Sequence, residues 1–154
     1  MSARTDRETV ARLFETYYDS LSKIAFCYLK NIYDAQDIAC DVFLKYIEVR
    51  PTFESSEHEK AWFIRVTLNK CKDFLRHSKY IRAEAVRQIS ATDSGSEILD
   101  LVMALPEKYR AVIHMFYYED MSARQIADVL KISVSAVTKR LERARKMLEP
   151  HLKD

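Results

Sequence analysis

Ser135, Thr138, Lys139, Glu142, Arg143 and Lys146 recur at spacings of three and four, with Arg140 and Arg145 on the flanks of the stripe they form. On a helix these residues share one face. Arg and Lys donate to guanine acceptors in the major groove of duplex DNA, Glu accepts from the cytosine amino group, and the Thr methyl meets that of thymine. A solvated helix with cations toward its C-terminal end, where they suit the helix dipole, would show the same residue types. What favours DNA is the segment in front. Ser122-Ala-Arg-Gln125 has the form of a capping box, Ile126, Val129 and Leu130 follow at helical spacing, and Lys131–Ile132 leaves room only for a tight turn before Ser133 caps again. Two short helices joined by a tight turn, the second basic, make a helix-turn-helix.

A second constellation spans Glu59 to Arg76, where Trp62, Arg65, Asn69, Lys70, Lys72, Asp73 and Arg76 interleave an aromatic ring, an amide and cations. An unstacked base needs a π face, polar groups for its edge and cations for its phosphates, so this mixture suits single-stranded nucleic acid. Trp62 on its own would more often be a core residue than a base platform.

The elements that carry these residues are helices. Leu13, Tyr17, Leu21, Ile24 and Tyr28 lie on a helical period that predicts a helix over about 9–30. A second is expected from about Ala35, with Asp34 as its N-cap, to Val49 before Pro51. A third begins near Glu57–Glu59, and a break or bend is expected around Asn69–Lys72 before a basic helical stretch to about Arg82. In the second half, a short helix around Ile98–Leu105 precedes another over Glu107–Tyr118, with Pro106 in its first position. The 154 residues contain one Gly, which argues against hairpin-rich β folds, Rossmann glycine loops and P-loops. The fold class is all-α: two small helical domains on a flexible linker. Residues 1–82 form the first domain, 97–154 the second, and 83–96, rich in Ser, Thr, Asp and Gly toward its end, the linker.

The net charge of +2 conceals a segregation. Residues 34–59 carry seven acids and two bases, and 60–82 carry one acid and seven bases. The alternation repeats with six acids and three bases over 97–128, then one acid and six bases over 131–146. Cys27, Cys40 and Cys71 have no metal-ligand spacing and suggest no disulfide framework; a reducing cytoplasm is expected. Cys27 and Cys40 are a redox pair only if close in space. His58, His77, His114 and His151 stand at no ligand or triad spacing, no acid, base and nucleophile converge, and no enzyme, metal or cofactor is expected. No stretch has the length of a membrane span.

Three segments together resemble bacterial sigma factors. Tyr33-Asp-Ala-Gln-Asp37-Ile-Ala-Cys40-Asp41-Val-Phe43-Leu44 is similar to region 2.2, and Ala61-Trp62-Phe-Ile-Arg65 with Asn69 and Asp73 to regions 2.3 and 2.4. Leu105-Pro-Glu-Lys-Tyr-Arg110 with Ala136–Arg145 is similar to region 4. Regions 1.1 and 3 have no counterpart, the arrangement of the extracytoplasmic-function (ECF) group. The resemblance implies a factor that joins core RNA polymerase, contacting the β′ clamp and the β flap, and directs it to promoter DNA. It assigns Asp34, Asp37, Asp41, Phe43 and Leu44 to polymerase binding. It assigns Trp62–Arg76 to the minus-ten element, with Asn69 and its neighbours in a loop that captures a flipped base, and Thr138, Lys139, Glu142 and Arg143, on the face picked out by helical geometry, to the minus-thirty-five element. An anti-sigma factor is implied as a further partner. Gln36, Cys40 and Asp41 stand where the family usually has Glu, Gln and Glu, and Lys131 where it often has Gly. The alternative is a helix-turn-helix regulator that works without polymerase, which leaves the first half of the chain without a role.

Overall fold

The structure is a computed structural model that describes residues 3–77 and 97–152, with no strand among them. The chain divides into two compact units, Met1–Ser78 and Lys79–Asp154. The linker expected over 83–96, and the basic stretch beyond His77, lie outside the described residues.

The first unit packs three helices, α1 (Ala3–Leu29), α2 (Ile32–Val49) and α3 (Ser56–His77). Helix α1 begins two turns earlier than the apolar period shows, because its first turns are polar; Asp6 there pairs with Arg50 at the end of α2, 3.0 Å away. Leu13, Tyr17, Leu21, Ile24 and Ala25 line its inner face. Helix α2 contributes Ala35, Ile38, Ala39, Val42, Phe43 and Tyr46, and α3 contributes Phe63, Ile64, Thr67, Leu68 and Cys71. Phe63 is the centre of this core, with no exposed surface. It stacks on Tyr17 at 4.7 Å and on Tyr46 at 5.8 Å and tilts against Phe43 at 5.5 Å. Rings at these separations add about 0.5–1.5 kcal/mol per pair to the area they bury. Tyr17 also donates its hydroxyl to Glu59 at 2.8 Å, tying α1 to the first turn of α3. Burial, then the bond to that carboxylate, push the phenol well above its ordinary pKa.

Two local expectations in this unit change. The N-cap of α2 is Asn31, not Asp34: its Oδ1 accepts from the amides of Tyr33 and Asp34 at 2.9 and 3.0 Å. The reason lies in Lys30, whose left-handed backbone (φ 54°) ends α1 and delivers the chain directly to Asn31. Helix α3 runs without a break through Asn69–Lys72. Ile64, Leu68 and Cys71 keep the inward stripe intact, and buried Thr67 satisfies its hydroxyl on the Phe63 carbonyl at 2.8 Å. A polar residue facing water inside a helix costs only a few tenths of a kcal/mol in propensity.

In the second unit, α4 (Glu97–Met103) is followed by α5 (Glu107–Ile113), a π-helical turn (His114–Tyr118), α6 (Ala123–Leu130) and α7 (Val134–Leu152). Pro106 takes the N-cap position, with ψ 149°, rather than the first helical position. Helix α5 stops short of Tyr118, because the chain widens into the π turn closed by the Glu119 amide on the His114 carbonyl at 3.1 Å. Inside the turn Met115 is fully buried, and the His114 ring lies 3.1 Å from the Glu119 carboxylate, both side chains about nine-tenths buried. The capping box of α6 is complete: Ser122 accepts from the Gln125 amide, and Gln125 accepts from the Ser122 amide. Lys131 then turns the chain in the left-handed region (φ 59°), and Ser133 accepts from the Ala136 amide to cap α7. Val137, Leu141 and Ala144 bury the inner ridge of α7.

A side chain at a left-handed position costs on the order of 1 kcal/mol that glycine avoids. Lys131 is exposed, so Lys131→Gly is expected to stabilise the second unit by about 0.5–1 kcal/mol once the greater freedom of unfolded glycine is subtracted. Urea unfolding of the full chain checks this; a lowered midpoint would mean that the Lys131 side chain contributes more than its backbone costs.

Candidate nucleic-acid interfaces

Because Val137, Leu141 and Ala144 point inward, α7 turns Ser135, Thr138, Lys139, Glu142, Arg143 and Lys146 outward, all exposed, with Arg140 half-buried at the edge. The Thr138 hydroxyl donates back to the Val134 carbonyl at 3.0 Å, so its proton is committed and the methyl is the group left for a partner. Glu142 is the one acid between Lys139, Arg143 and Lys146, and forms no ion pair among the described residues. A carboxylate in that setting repels phosphate and can accept a hydrogen bond from a donor at a base edge. Arg145 is engaged elsewhere: its Nε donates to the Tyr117 hydroxyl at 2.8 Å.

On α3, Trp62, Arg65, Asn69, Lys72, Asp73 and Arg76 follow spacings of three and four and form one stripe; Lys70 stands beside it. Asn69, Lys72, Asp73 and Arg76 are exposed, while Arg65 and Lys70 are half-buried. Asp73 and Arg76 pair with each other. Asn69 sits on an unbroken helix and not in a loop. Trp62 is half-buried and serves the core, edge-on to Phe63 at 5.0 Å and to Tyr46 at 6.2 Å. The loop that does approach this stripe is the one between α2 and α3. Phe53 from that loop lies 6.0 Å from Trp62, and His58 lies 5.4 Å from Phe53 while its Nδ1 accepts from the Glu54 amide at 3.0 Å. Sequence reasoning left Phe53 and His58 out of the site. The signal available was Pro51, which cannot continue α2 and so leaves Phe53 in the short connection that precedes α3.

On α2, Asp34, Asp37, Asp41 and Leu44 follow one another on the outer side, Leu44 being 63% exposed. The adjoining strip carries Tyr33, Cys40 and Ile47, all exposed. Asp34 is half-buried; that burial, and then the charge of Asp37, raise its pKa. Phe43 requires a correction. At 4% exposure it lies between Phe14 and Phe63, so it holds α2 in place instead of offering its ring to a partner. Cys27 and Cys71 are buried, Cys40 is exposed, and no disulfide joins the three. Among the described residues no group of His, Cys, Asp and Glu could hold a metal, and no helix is long and apolar enough to cross a membrane.

Both units have counterparts among known proteins. Sigma-70 region 2 matches residues 13–80, and Sigma-70 region 4 matches residues 96–148. The chain is 27% identical to the ECF RNA polymerase sigma factor SigW of Bacillus subtilis over 97% of its own length and 91% of SigW. It is 29% identical to the RNA polymerase sigma factor SigV of the same organism, over 84% of this chain and 82% of SigV. Among solved structures, CnrH in complex with the cytosolic domain of CnrY is 26% identical, with a TM-score of 0.69 over 96% of this chain and 89% of that one. The sigma factor RpoE of Bartonella quintana, solved with the anti-sigma factor NepR, shares the fold at a TM-score of 0.75 and 18% identity, over 93% of this chain and 96% of that one. The two matched regions take up the two units in order, one carrying the α2 and α3 faces and the other the helix-turn-helix, and the chain belongs to the sigma-70 family, in its ECF group.

Proposed function

We propose that this ECF sigma factor directs core RNA polymerase to its promoters with its three outward faces in separate roles. The observation that carries the reading is the α7 face, whose cations and lone carboxylate are exposed on a helix held by a capped helix-turn-helix. In this reading α7 enters the major groove of the minus-thirty-five element, with Arg143 and Lys139 on guanine acceptors, Glu142 on a cytosine amino group and the Thr138 methyl on thymine. The α3 stripe holds the melted minus-ten strand. Lys72 and Arg65 serve its phosphates, Asn69 reads a base edge, and the Phe53–Trp62 pair at the head of the stripe provides an apolar wall for an unstacked base. Binding to single-stranded bases offsets the cost of opening the duplex.

The outer side of α2, with Asp37, Asp41 and Leu44, docks on the β′ clamp, and region 4 contacts the β flap. Asp34 has the smallest part there, being half-buried. The factor acts in the cytoplasm, where polymerase is, and performs no turnover of its own. The exposed apolar residues beside the α2 acids need cover when polymerase is absent, which supports an anti-sigma partner; RpoE and CnrH were each solved with a bound partner. A regulator acting without polymerase gives the α2 and α3 faces nothing to do. Reconstitution with core polymerase, followed by sequencing of transcript starts, tests the whole reading. Failure to associate with core, with tight binding to duplex DNA alone, would overturn it.

Two substitutions separate the faces. Arg143→Ala is expected to weaken minus-thirty-five preference by about 1–3 kcal/mol while leaving association with core polymerase intact; an unchanged promoter profile would remove Arg143 from the reading face. Asn69→Ala is expected to reduce permanganate reactivity of the melted region more than it reduces closed-complex formation. Full reactivity would place the captured base elsewhere.

A further inference from the structure

Arg145 stands three residues beyond Glu142 on α7, within reach of an ion pair at that spacing. It does not make one. Its guanidinium is drawn to the π turn, where Nε donates to the Tyr117 hydroxyl and Cζ lies 5.8 Å from the Tyr117 ring and 5.9 Å from the Phe116 ring. The side chain therefore has a directional hydrogen bond and two aromatic contacts, an arrangement that suits a planar guanidinium.

We infer that Tyr117 is a specificity-positioning residue: by holding Arg145 on the π turn, it keeps the Glu142 carboxylate unpaired and available to read a base. The inference rests on the proposed role of the α7 face. Of the cations one helical turn from Glu142, Arg145 is the strongest competitor, because its fork can grip a carboxylate through two hydrogen bonds, while Arg143, next in sequence, does not face Glu142. Lys139 and Lys146 also stand within helical reach, but each is a compact, well hydrated charge that a phosphate satisfies equally well. Neither pairs with Glu142 in the folded chain. The π turn makes the arrangement possible. The Glu119 amide bonds to the His114 carbonyl across five residues, and the wider turn carries the Phe116–Tyr117 pair to the side of α7 between its buried ridge and its reading face. Tyr117 is half exposed and takes no part in the core, so its contact with Arg145 can be removed without opening a cavity.

The test uses holoenzyme assembled from core polymerase and the full chain, with promoter fragments randomised across the duplex element and sequenced after selection. Glu142→Gln first identifies the base pair that Glu142 reads. Tyr117→Leu is expected to lower preference at that same base pair by about twofold to threefold, the scale of an exposed helical ion pair, and to leave the positions sensitive to Arg143→Ala unaffected. Adding Arg145→Gln to Tyr117→Leu is expected to restore the preference, since no guanidinium is left to occupy Glu142. A merely structural role for Tyr117 would lower preference at every position and would not be rescued. The inference is overturned by an unchanged profile for Tyr117→Leu, by a uniform loss, or by a double variant no better than the single. If Glu142→Gln changes no position while Arg143→Ala does, the inference fails and the reading face stands; if neither changes the profile, both fail.

Discussion

With a single glycine in the chain, at position 95, every described helix junction must be turned by residues that carry side chains. Four of them hold positive φ: Lys30 between α1 and α2, Arg50 at the end of α2, Asp120 ahead of α6 and Lys131 between α6 and α7. Each left-handed residue costs on the order of 1 kcal/mol. The cost is met locally. The Lys30 amide bonds to the Phe26 carbonyl at 2.9 Å and hands over to the Asn31 cap. The Arg50 amide reaches the Tyr46 carbonyl at 2.7 Å while its guanidinium pairs with Asp6. Lys131 donates to Ala127 and is followed by the Ser133 cap. Such junctions are short and leave little angular freedom. The direction in which α2 presents its acids and α7 its cations is thus decided where the helices end.

Within the first unit, one core sets the conflicting demands on Trp62. Phe63 fills the centre and needs rings on all sides, and Trp62, its neighbour in sequence, points about 100° away on the helix. That direction lies at the rim, where Tyr46 and Phe53 already stand. The choice between core and base platform that the sequence left open has a divided answer: the ring's edge contacts the aromatic cluster, and part of its surface stays exposed.

What was legible in the sequence was whatever depends on periodicity or on a single cap. The inner stripes of α1 and α2, the Ser122 box and the tight turn at Lys131 required no distant partner to specify them. The misses share a cause: several local choices were of similar energy and a tertiary contact decided. Asn31 and Asp34 are both good caps, and only the left-handed turn at Lys30 selects the first. Asn69 resembles a helix breaker until Leu68 and Cys71 are seen packed in the core on either side of it. The π turn has no sequence period of its own, and it arises where Met115 and His114 must both be buried. Phe43 and Leu44 are adjacent and both apolar, and the packing of Phe14 against the first is what separates core from surface.

The segregated charge explains why such a chain requires polymerase to find a promoter. Each phosphate neutralised contributes about 0.9 to the salt slope of binding, and sequence-independent affinity follows from that number. On α7 the exposed cations are few: Lys139, Arg143 and Lys146, with Arg140 at the edge. Arg145 is held by Tyr117, and in the proposed reading Glu142 opposes phosphate, so general attraction to DNA rests on these few cations. On α3 the Asp73–Arg76 pair weakens the stripe in the same way. A factor built like this gains little by sliding alone on DNA. It becomes effective when core polymerase supplies the general affinity and brings both units to the duplex at once, since two weak contacts on one body act at a high effective concentration. The near neutrality of the chain suits the proposed division of work: its positive charge is concentrated on two faces, and little is left overall for general attraction to phosphate.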